Sequence, residues 1–165
     1  MANPRVGIVL GSKSDLPQME GAEALLKEMQ VPYELRIISA HRTPDESAEY
    51  AKTAKDRGLE VVIGMAGMAA HLAGVLAAHC KVPVLGVPAK VGALNGVDAL
   101  YSTAQMPAGV PVACFAIGKA GATNAALFAC QIMMAKDTDL AERVAAHRAA
   151  MQDKIRADDA EVQNR

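Results

Sequence analysis

Two histidine-containing segments are the parts of this sequence best suited to acid–base chemistry. His41 is followed directly by Arg42, and His71 lies in a stretch that is poor in polar side chains. An imidazole can gain or lose a proton near neutral pH. A guanidinium can hold a phosphate through two parallel hydrogen bonds. These residue types predict a site that binds a small anion and moves a proton; the alternative for 41–42 is a solvated loop with a surface ion pair.

A short polar turn at residues 11–15 offers a second kind of chemistry. Ser12, Ser14 and the backbone N–H groups of a helix N-terminus are typical of a phosphate cradle. Asp15 would repel a phosphate, so it is better suited to accept hydrogen bonds from ribose hydroxyls. The alternative is that Ser14 and Asp15 only cap the helix that follows. The turn matches neither the dinucleotide-binding glycine fingerprint nor the P-loop.

Residues 64–71 form a third segment, which is rich in glycine and alanine and ends at His71. Such a segment lets the backbone approach a ligand closely and keeps water away from it. The alternative is tight packing of a helix on a sheet, with His71 as a packing histidine whose hydrogen bonds are satisfied. The residues alone leave both interpretations open.

These segments lie between strands and helices that alternate along the chain. Short β-branched runs predict strands at residues 6–10, 33–38, 61–65, 82–87 and 112–117. Helical spacing predicts helices at residues 16–29, 44–57, 70–79, 96–105, 120–136 and 139–160. The pattern predicts one α/β domain over residues 1–165, with helices on both faces of a parallel sheet and a C-terminal helical extension. Five strands favour the three-layer, flavodoxin-like order 2-1-3-4-5 over a full dinucleotide-binding fold.

This topology predicts where the three polar segments lie. Ligands in open parallel sheets bind at the carboxyl ends of strands, beside the point where the strand order reverses. The segments 11–15, 39–42 and 64–71 follow the first, second and third strands, which are neighbours in the proposed order. We therefore expect them to converge on one pocket.

Several local patterns predict how the helices begin and pack. Asp15 with Gln18 predicts a capping box, and Thr43 before Pro44 predicts the cap of the second helix. Residues 124–135 are apolar nearly all round, so that helix must be buried on most sides. This pattern agrees with oligomerisation, although one face could simply cover the sheet.

The composition excludes several classes of function. The chain has 17 basic and 18 acidic residues, a net charge of −1 and only 3% aromatic residues. It therefore lacks the basic surface expected of proteins that bind nucleic acid or anionic membranes. It also lacks aromatic platforms for single-stranded nucleic acids or a flavin ring. No apolar run is long enough to predict a membrane span.

The cysteines and the first residues indicate a cytoplasmic protein. Cys80, Cys114 and Cys130 are odd in number and widely spaced, so we interpret them as reduced, buried small hydrophobes. Residues 1–5 lead directly into a strand pattern, without the charged and apolar leader of a secretory signal. No metal site is predicted, because the adjacent His79 and Cys80 diverge on a helix and no other ligands lie at useful spacing.

Six motifs in this sequence resemble the PurE family. They are Gly-Ser-Lys-Ser-Asp at 11–15, Ser-Ala-His-Arg-Thr-Pro at 39–44, Ala-Ala-His-Leu at 69–72, Leu-Asn-Gly-Val-Asp at 94–98, Gln-Met-Pro at 105–107 and Ala-Ile-Gly-Lys-Ala-Gly at 116–121. The resemblance extends over about residues 6–136. It implies a flavodoxin-like subunit of a cytoplasmic homo-octamer whose active sites are built partly from neighbouring subunits. It also implies conversion of N5-carboxyaminoimidazole ribonucleotide to 4-carboxy-5-aminoimidazole ribonucleotide in purine biosynthesis, without metal or organic cofactor and with carbon dioxide held in the pocket.

The resemblance also implies roles for individual residues. His41 matches the family's proton-transferring histidine, and Ser12, Asp15 and Arg42 match its nucleotide-binding positions. The positions that match the lining of the same pocket are Ser39, Gly67, Ala70, His71 and Leu72. Ser14 is a substrate-binding candidate from its place in the first turn.

Two residues depart from the family pattern. Met68 and Ala73 stand where the family often has glycine and proline, which affects the expected shape of this loop. A second branch of the family carboxylates aminoimidazole ribonucleotide directly and carries an Arg-Ser-Asn type of loop here. Because this chain has Met-Ala-Ala-His at 68–71, the resemblance favours the mutase. The rival hypotheses are the direct carboxylase and a non-enzymatic, flavodoxin-like nucleotide-binding module.

Overall fold

The computed structural model describes residues 3–165 as a five-stranded parallel sheet with helices on both faces. The strands are β1 (Val6–Leu10), β2 (Tyr33–Ile37), β3 (Val61–Ala66), β4 (Val84–Pro88) and β5 (Ala113–Cys114). Their order is β2-β1-β3-β4-β5, and every neighbouring pair is parallel. This confirms the predicted flavodoxin-like order. Met1 and Ala2 lie outside the described residues. They belong to the first five residues, in which no secretory signal was predicted.

Two layers of helices cover the sheet. The helices are α1 (Leu16–Glu28), α2 (Pro44–Thr53), α3 (Leu72–His79), α4 (Val97–Ala104), α5 (Lys119–Met133) and α6 (Thr138–Gln163). Alternation along β1 separates the two halves of the core, since Ile8 packs with α1 and α5 while Val9 packs with α2 and α3. The inner strands β1, β3 and β4 are buried on both faces, as a parallel sheet between helices requires, while the edge strands β2 and β5 are partly exposed.

The strand register brings the loops after β1, β2 and β3 to the same edge of the sheet. Leu10, the last residue of β1, pairs with Ile37 on one side and with Met65 on the other. The segments that follow β1, β2 and β3 therefore leave the sheet at the same edge. Ala66 pairs with Pro88, so the segment after β4 leaves the sheet at this edge as well.

Two predicted helix caps are wrong. The capping box joins Ser12 to Asp15 around a short 3-10 turn, Lys13–Asp15, that leads into α1, and α1 itself has no side-chain cap. The Oε1 atom of Gln18 instead accepts a hydrogen bond from the Lys90 backbone N–H at 2.8 Å. The Thr43 side chain does not cap α2. Its hydroxyl instead donates to the Ser39 carbonyl and accepts from the Ser39 N–H, both at 3.0 Å. These contacts fix the loop between β2 and α2 rather than the first turn of α2.

Three element boundaries also differ from the prediction. The helix expected to reach residue 57 ends at Thr53, and Arg57 pairs with Glu34 of β2. The fifth strand has two residues instead of six, although the Phe115 N–H still donates to the Gly86 carbonyl at 2.9 Å. The terminal helix is longer than predicted and extends over Thr138–Gln163.

The burial of the cysteines differs from expectation. Cys130 is buried, whereas Cys80 and Cys114 are half-buried, so the expectation of three buried cysteines is wrong for two of them. Burial raises the pKa of the Cys130 thiol to about 11.

Within residues 3–165, no helix combines the length and apolar character needed to cross a membrane.

The turn after α1 provides a first stability prediction. Gln30 is exposed and has a φ of 54°, in the left-handed region that glycine adopts most easily. Gln30→Gly is expected to raise the free energy of unfolding by about 0.5–1 kcal/mol, because relief of backbone strain exceeds the entropy that glycine adds to the unfolded chain. Urea unfolding of the two proteins measures the change, and an unaltered or lower midpoint would contradict it.

Candidate active site

One cavity of about 480 Å³ opens at the carboxyl edge of β1, β2 and β3. It is lined by Gly11, Ser12, Ser14, Asp15, Ser39, Ala40, His41, Arg42, Ala66, Gly67, Met68, Ala69, His71, Leu72, Val91 and Gly92. The three segments singled out in the sequence therefore meet in one place. All the predicted site residues line this cavity except Ala70, which is 2% exposed and lies beneath its surface.

The turn after β1 contributes hydroxyl groups more than free backbone donors. The Ser12 N–H donates to the Asp15 carboxylate at 3.1 Å, and the Ser14 N–H donates to the Ser12 hydroxyl at 3.4 Å. The Ser14 hydroxyl also donates to the Ser12 hydroxyl at 3.0 Å. The expectation of free N–H groups at this turn is therefore wrong for Ser12 and Ser14, whose N–H groups are already engaged in capping. A ligand here meets two linked hydroxyls instead.

Asp15 lies at the base of this turn and is buried, with 3% of its surface exposed. Burial raises the pKa of its carboxyl group, against the lowering effect of hydrogen bonds from Ser12 and Ser14. Ligand hydroxyls that donated to this carboxylate would stabilise its charged form and lower its pKa again. The position suits recognition of a neutral donor and disfavours contact with a phosphate.

Arg42 is exposed at the cavity and is oriented by two loops. Its Nη2 atom donates to the Gly11 carbonyl at 3.1 Å, and its Nε atom donates to the Ser39 hydroxyl at 3.3 Å. The Ser39 hydroxyl also accepts from the Arg42 backbone N–H at 3.2 Å. The guanidinium is thereby held beside the Ser12–Ser14 turn, where its remaining N–H groups can bind an anion.

The two predicted histidines form a hydrogen-bonded pair. His41 follows β2, His71 precedes α3, and the His41 Nε2 and His71 Nδ1 atoms are 2.8 Å apart. The rings meet edge to face, with centroids 4.9 Å apart and planes at 85°. A hydrogen bond between two imidazoles needs one N–H and one lone pair, so the pair shares a single proton along that line. Either ring can therefore act as the donor, depending on the tautomer.

The apolar wall of the cavity comes from two neighbouring loops. One is the end of β3 with the residues that follow it, and the other contains Val91 and Gly92. A Cβ atom at Gly67 would overlap the Val91 Cγ2 atom, so glycine is required for the two loops to pack this closely. Val91 and Gly92 were not predicted as site residues. The position of β4 beside β3 in the predicted order is the signal that could have identified them.

This arrangement combines three chemical capacities at one sheet edge. Linked serine hydroxyls with Arg42 can bind an anion, and Asp15 can accept hydrogen bonds. The His41–His71 pair can give and take a proton. The apolar wall can contact the uncharged part of a bound ligand. Together they suit acid–base chemistry on a phosphorylated small molecule.

The chain is similar to known proteins over most of its length. The model of the AIR carboxylase family matches residues 5–154. The N5-carboxyaminoimidazole ribonucleotide mutase of Bacillus subtilis is 55% identical over 141 residues, which are 86% of this chain and 87% of that protein. The mutase of Escherichia coli K12 is 50% identical over 154 residues, which are 93% of this chain and 91% of that protein.

The fold is shared with a solved structure as well. The crystal structure of Treponema denticola PurE superimposes with a TM-score of 0.85 at 30% identity, covering 96% of this chain and 98% of that one. The resemblance found in the sequence motifs is therefore confirmed, and the chain belongs to the AIR carboxylase, or PurE, family.

Proposed function

We propose that this protein is a mutase that converts N5-carboxyaminoimidazole ribonucleotide to 4-carboxy-5-aminoimidazole ribonucleotide in purine biosynthesis. Relatives that are 55% and 50% identical carry the name of this activity. The observation that carries the proposal within this chain is the His41–His71 pair, which lies in a cavity that also has anion-binding groups and an apolar wall.

The reaction needs one proton to be given and one to be taken. Protonating the exocyclic nitrogen of the substrate breaks its N–C bond and releases carbon dioxide, which leaves an electron-rich ring carbon. That carbon attacks carbon dioxide, and the proton on the same carbon must then leave to restore aromaticity. His41 gives the first proton and takes the second, so that one imidazole serves as both acid and base. The hydrogen bond to His71 fixes its ring orientation between the two steps.

The nucleotide must stay in place while its carboxylate moves. Arg42 and the hydroxyls of Ser12 and Ser14 bind the phosphate, and Asp15 accepts hydrogen bonds from the ribose. Ser39 orients Arg42, while Gly67, His71 and Leu72 shape the pocket around the base. Ala70 supports this wall from beneath rather than by contact. These contacts hold the two reacting atoms close together in one geometry, so the atoms do not have to meet by diffusion in solution.

Arg42→Gln tests the phosphate contact. We expect kcat/KM to fall by about 10–100-fold, mainly through a higher KM, because the neutral amide loses a charge-assisted hydrogen bond. Steady-state kinetics with the carbamate substrate measure the change. Arg36→Gln is the matched control, since Arg36 is exposed on β2 and does not line this cavity. Equal kinetics for the two variants would remove Arg42 from substrate binding.

The mutase assay tests the function itself. Purified protein is mixed with N5-carboxyaminoimidazole ribonucleotide without ATP or added metal, and the 4-carboxy product is followed by absorbance. A parallel reaction contains aminoimidazole ribonucleotide and high bicarbonate. We expect rapid product formation from the carbamate alone. Product formed only in the parallel reaction would identify a direct carboxylase, and product in neither would identify a binding module.

We further infer that the chain forms a homo-oligomer, with an octamer as the specific expectation. Support comes from large apolar side chains that the single chain leaves exposed, which include Leu94, Val97, Tyr101, Phe128 and Ile155. Three of them, Leu94, Val97 and Tyr101, lie close together in the chain at α4, and apolar side chains that form a contiguous exposed patch are typical of surfaces that bind another protein. Light scattering gives the mass in solution, and a single 17.2 kDa species would contradict the inference.

A cytoplasmic location belongs to the same proposal. Cys80, Cys114 and Cys130 are all free. Unpaired cysteines are typical of proteins in a reducing compartment. The proposed binding partners are the small phosphorylated nucleotide on which the mutase acts and carbon dioxide. No nucleic-acid or membrane partner is proposed.

A further inference from the structure

Met68 holds an unusual backbone conformation in the wall of the active-site cavity. Its φ is 55°, in the left-handed region where a side chain is disfavoured. Within residues 3–165, only Gln30 and Asn95 share this feature among non-glycine residues, and neither lines the cavity. Strained residues that persist at a ligand site are candidates for a role in function.

The Met68 side chain lies beside the loop that follows β4. A Cβ atom added to Gly92 would lie 3.3 Å from the Met68 Cγ atom and 3.8 Å from its Sδ atom. The side chain thus extends towards Gly92, while Gly67 packs against Val91 directly beneath it. The left-handed backbone of Met68 places an apolar side chain where the two loops meet.

The surroundings of Met68 are the apolar end of the cavity. Its neighbours in the lining are Ala66, Gly67 and Ala69, whereas the hydroxyl and guanidinium groups come from the β1 and β2 loops. Met68 is 60% exposed, so its side chain extends from the wall and is not packed into the core. Methionine is flexible and apolar, and it can adapt to irregular gaps. It can therefore admit a nucleotide and cover the apolar end afterwards.

We propose that Met68 covers the part of the pocket that retains carbon dioxide between the two halves of the reaction. This inference rests on the proposed mutase function. Decarboxylation consumes one proton and converts N–COO⁻ to N–H and carbon dioxide. Recarboxylation converts C–H and the same carbon dioxide to C–COO⁻ and releases one proton. The carboxylate carbon is conserved only when carbon dioxide stays in the pocket.

Escape of carbon dioxide can be measured with a carbon label. The protein turns over unlabelled substrate in medium with ¹³C-bicarbonate and carbonic anhydrase, and mass spectrometry reads the label in the first-formed product. The variants are Met68→Ala, which removes the side chain but keeps the strained backbone type, and Met68→Gly, which removes both. Met68→Leu keeps an apolar side chain of similar size.

We expect Met68→Ala and Met68→Gly to raise the labelled fraction at least about threefold, because an opened pocket exchanges its contents with the medium. Met68→Leu should remain near the unaltered protein. Gln30→Gly is the matched control for backbone relief outside the cavity, and it should not change the labelled fraction. Equal labelling in the unaltered protein, Met68→Ala and Met68→Gly would overturn the role of Met68.

The mutase function and the covering role of Met68 can be disproved separately. If the unaltered protein forms no 4-carboxy product from the carbamate, the mutase function itself is wrong, and the role of Met68 falls with it. If the unaltered protein turns over and the labelled fraction does not respond to residue 68, only the covering role is wrong. A higher labelled fraction in Met68→Gly with a normal value in Met68→Ala would assign the effect to the backbone and would also overturn the role of the side chain.

Discussion

His41→Asn is expected to fold normally and to lose turnover by about 10²–10⁴-fold, the usual contribution of a proton-transferring group. Asparagine keeps a polar side chain near His71 but has no protonation equilibrium near neutral pH. His41 is exposed, so its replacement leaves no cavity in the core. Because the nucleotide contacts come from other residues, we expect the loss in kcat and only a small change in KM.

The control for this variant is His79→Asn. His79 is exposed at the last turn of α3 and does not line the cavity, so its replacement should leave turnover unchanged. Circular dichroism and thermal unfolding of both variants establish that the fold is retained. A His41→Asn variant with turnover near that of His79→Asn would remove His41 from the chemistry.

Gly121→Ala is expected to lower the free energy of unfolding by at least about 3 kcal/mol. Gly121 is buried in the first turns of α5, and a Cβ atom there would overlap the carbonyl oxygen of Ala116. The obstacle is backbone, which cannot rotate away as a side chain can. The start of α5 would have to move from the end of β5, and its packing on the sheet would be disturbed.

Gly74→Ala is the matched control, since Gly74 also lies within a helix. A Cβ atom there would lie 3.3 Å from the Sδ atom of Met106, at the flexible end of a side chain that can shift. Replacing a helical glycine by alanine also gains about 1 kcal/mol of helix propensity. We expect Gly74→Ala to be neutral or slightly stabilising in urea unfolding. Equal destabilisation of both variants would show that the Ala116 contact is not the cause.

The sheet could be predicted because each of its strands is followed by a helical pattern. Alternating elements with a right-handed crossover allow few topologies, and the five apolar runs gave the strand count. The length of the fifth strand was overestimated, since residues 112–117 are all apolar and include the β-branched Val112 and Ile117, but only Ala113–Cys114 pair regularly with β4. The residue types indicate that a segment is apolar and suited to a strand, but they do not indicate where its regular pairing with the neighbouring strand ends.

The location of the site followed from topology, while its contacts did not. Placing His41 and His71 at the same sheet edge required only the strand order. Their direct hydrogen bond depends on side-chain orientations that no spacing rule provides. Similarly, Ser12 and Asp15 both carry groups suited to an N-cap, and only the three-dimensional path of the turn made Ser12 the cap and Asp15, rather than Gln18, a partner in the capping box.

The left-handed backbone of Met68 could not be predicted from its residue type. Glycine would have indicated such a conformation, and methionine is a residue for which the left-handed region is disfavoured. The only available signal was the comparison with the family pattern, in which glycine often stands at this position. Next to Met68, Gly67 packs closely on Val91, a contact that residue types do not predict either.

We expect the three strand ends to form one nucleotide pocket in which residue 41 faces the reacting base. A crystal structure of the His41→Asn variant with N5-carboxyaminoimidazole ribonucleotide bound tests it most directly, because slow turnover preserves the substrate. We predict the phosphate at Arg42 and the Ser12–Ser14 turn, with the exocyclic nitrogen within hydrogen-bond reach of residue 41, directly or through one water. A nucleotide bound elsewhere, or with its base turned away from residue 41 in every copy of the chain, would show that this pocket is not the site of the reaction.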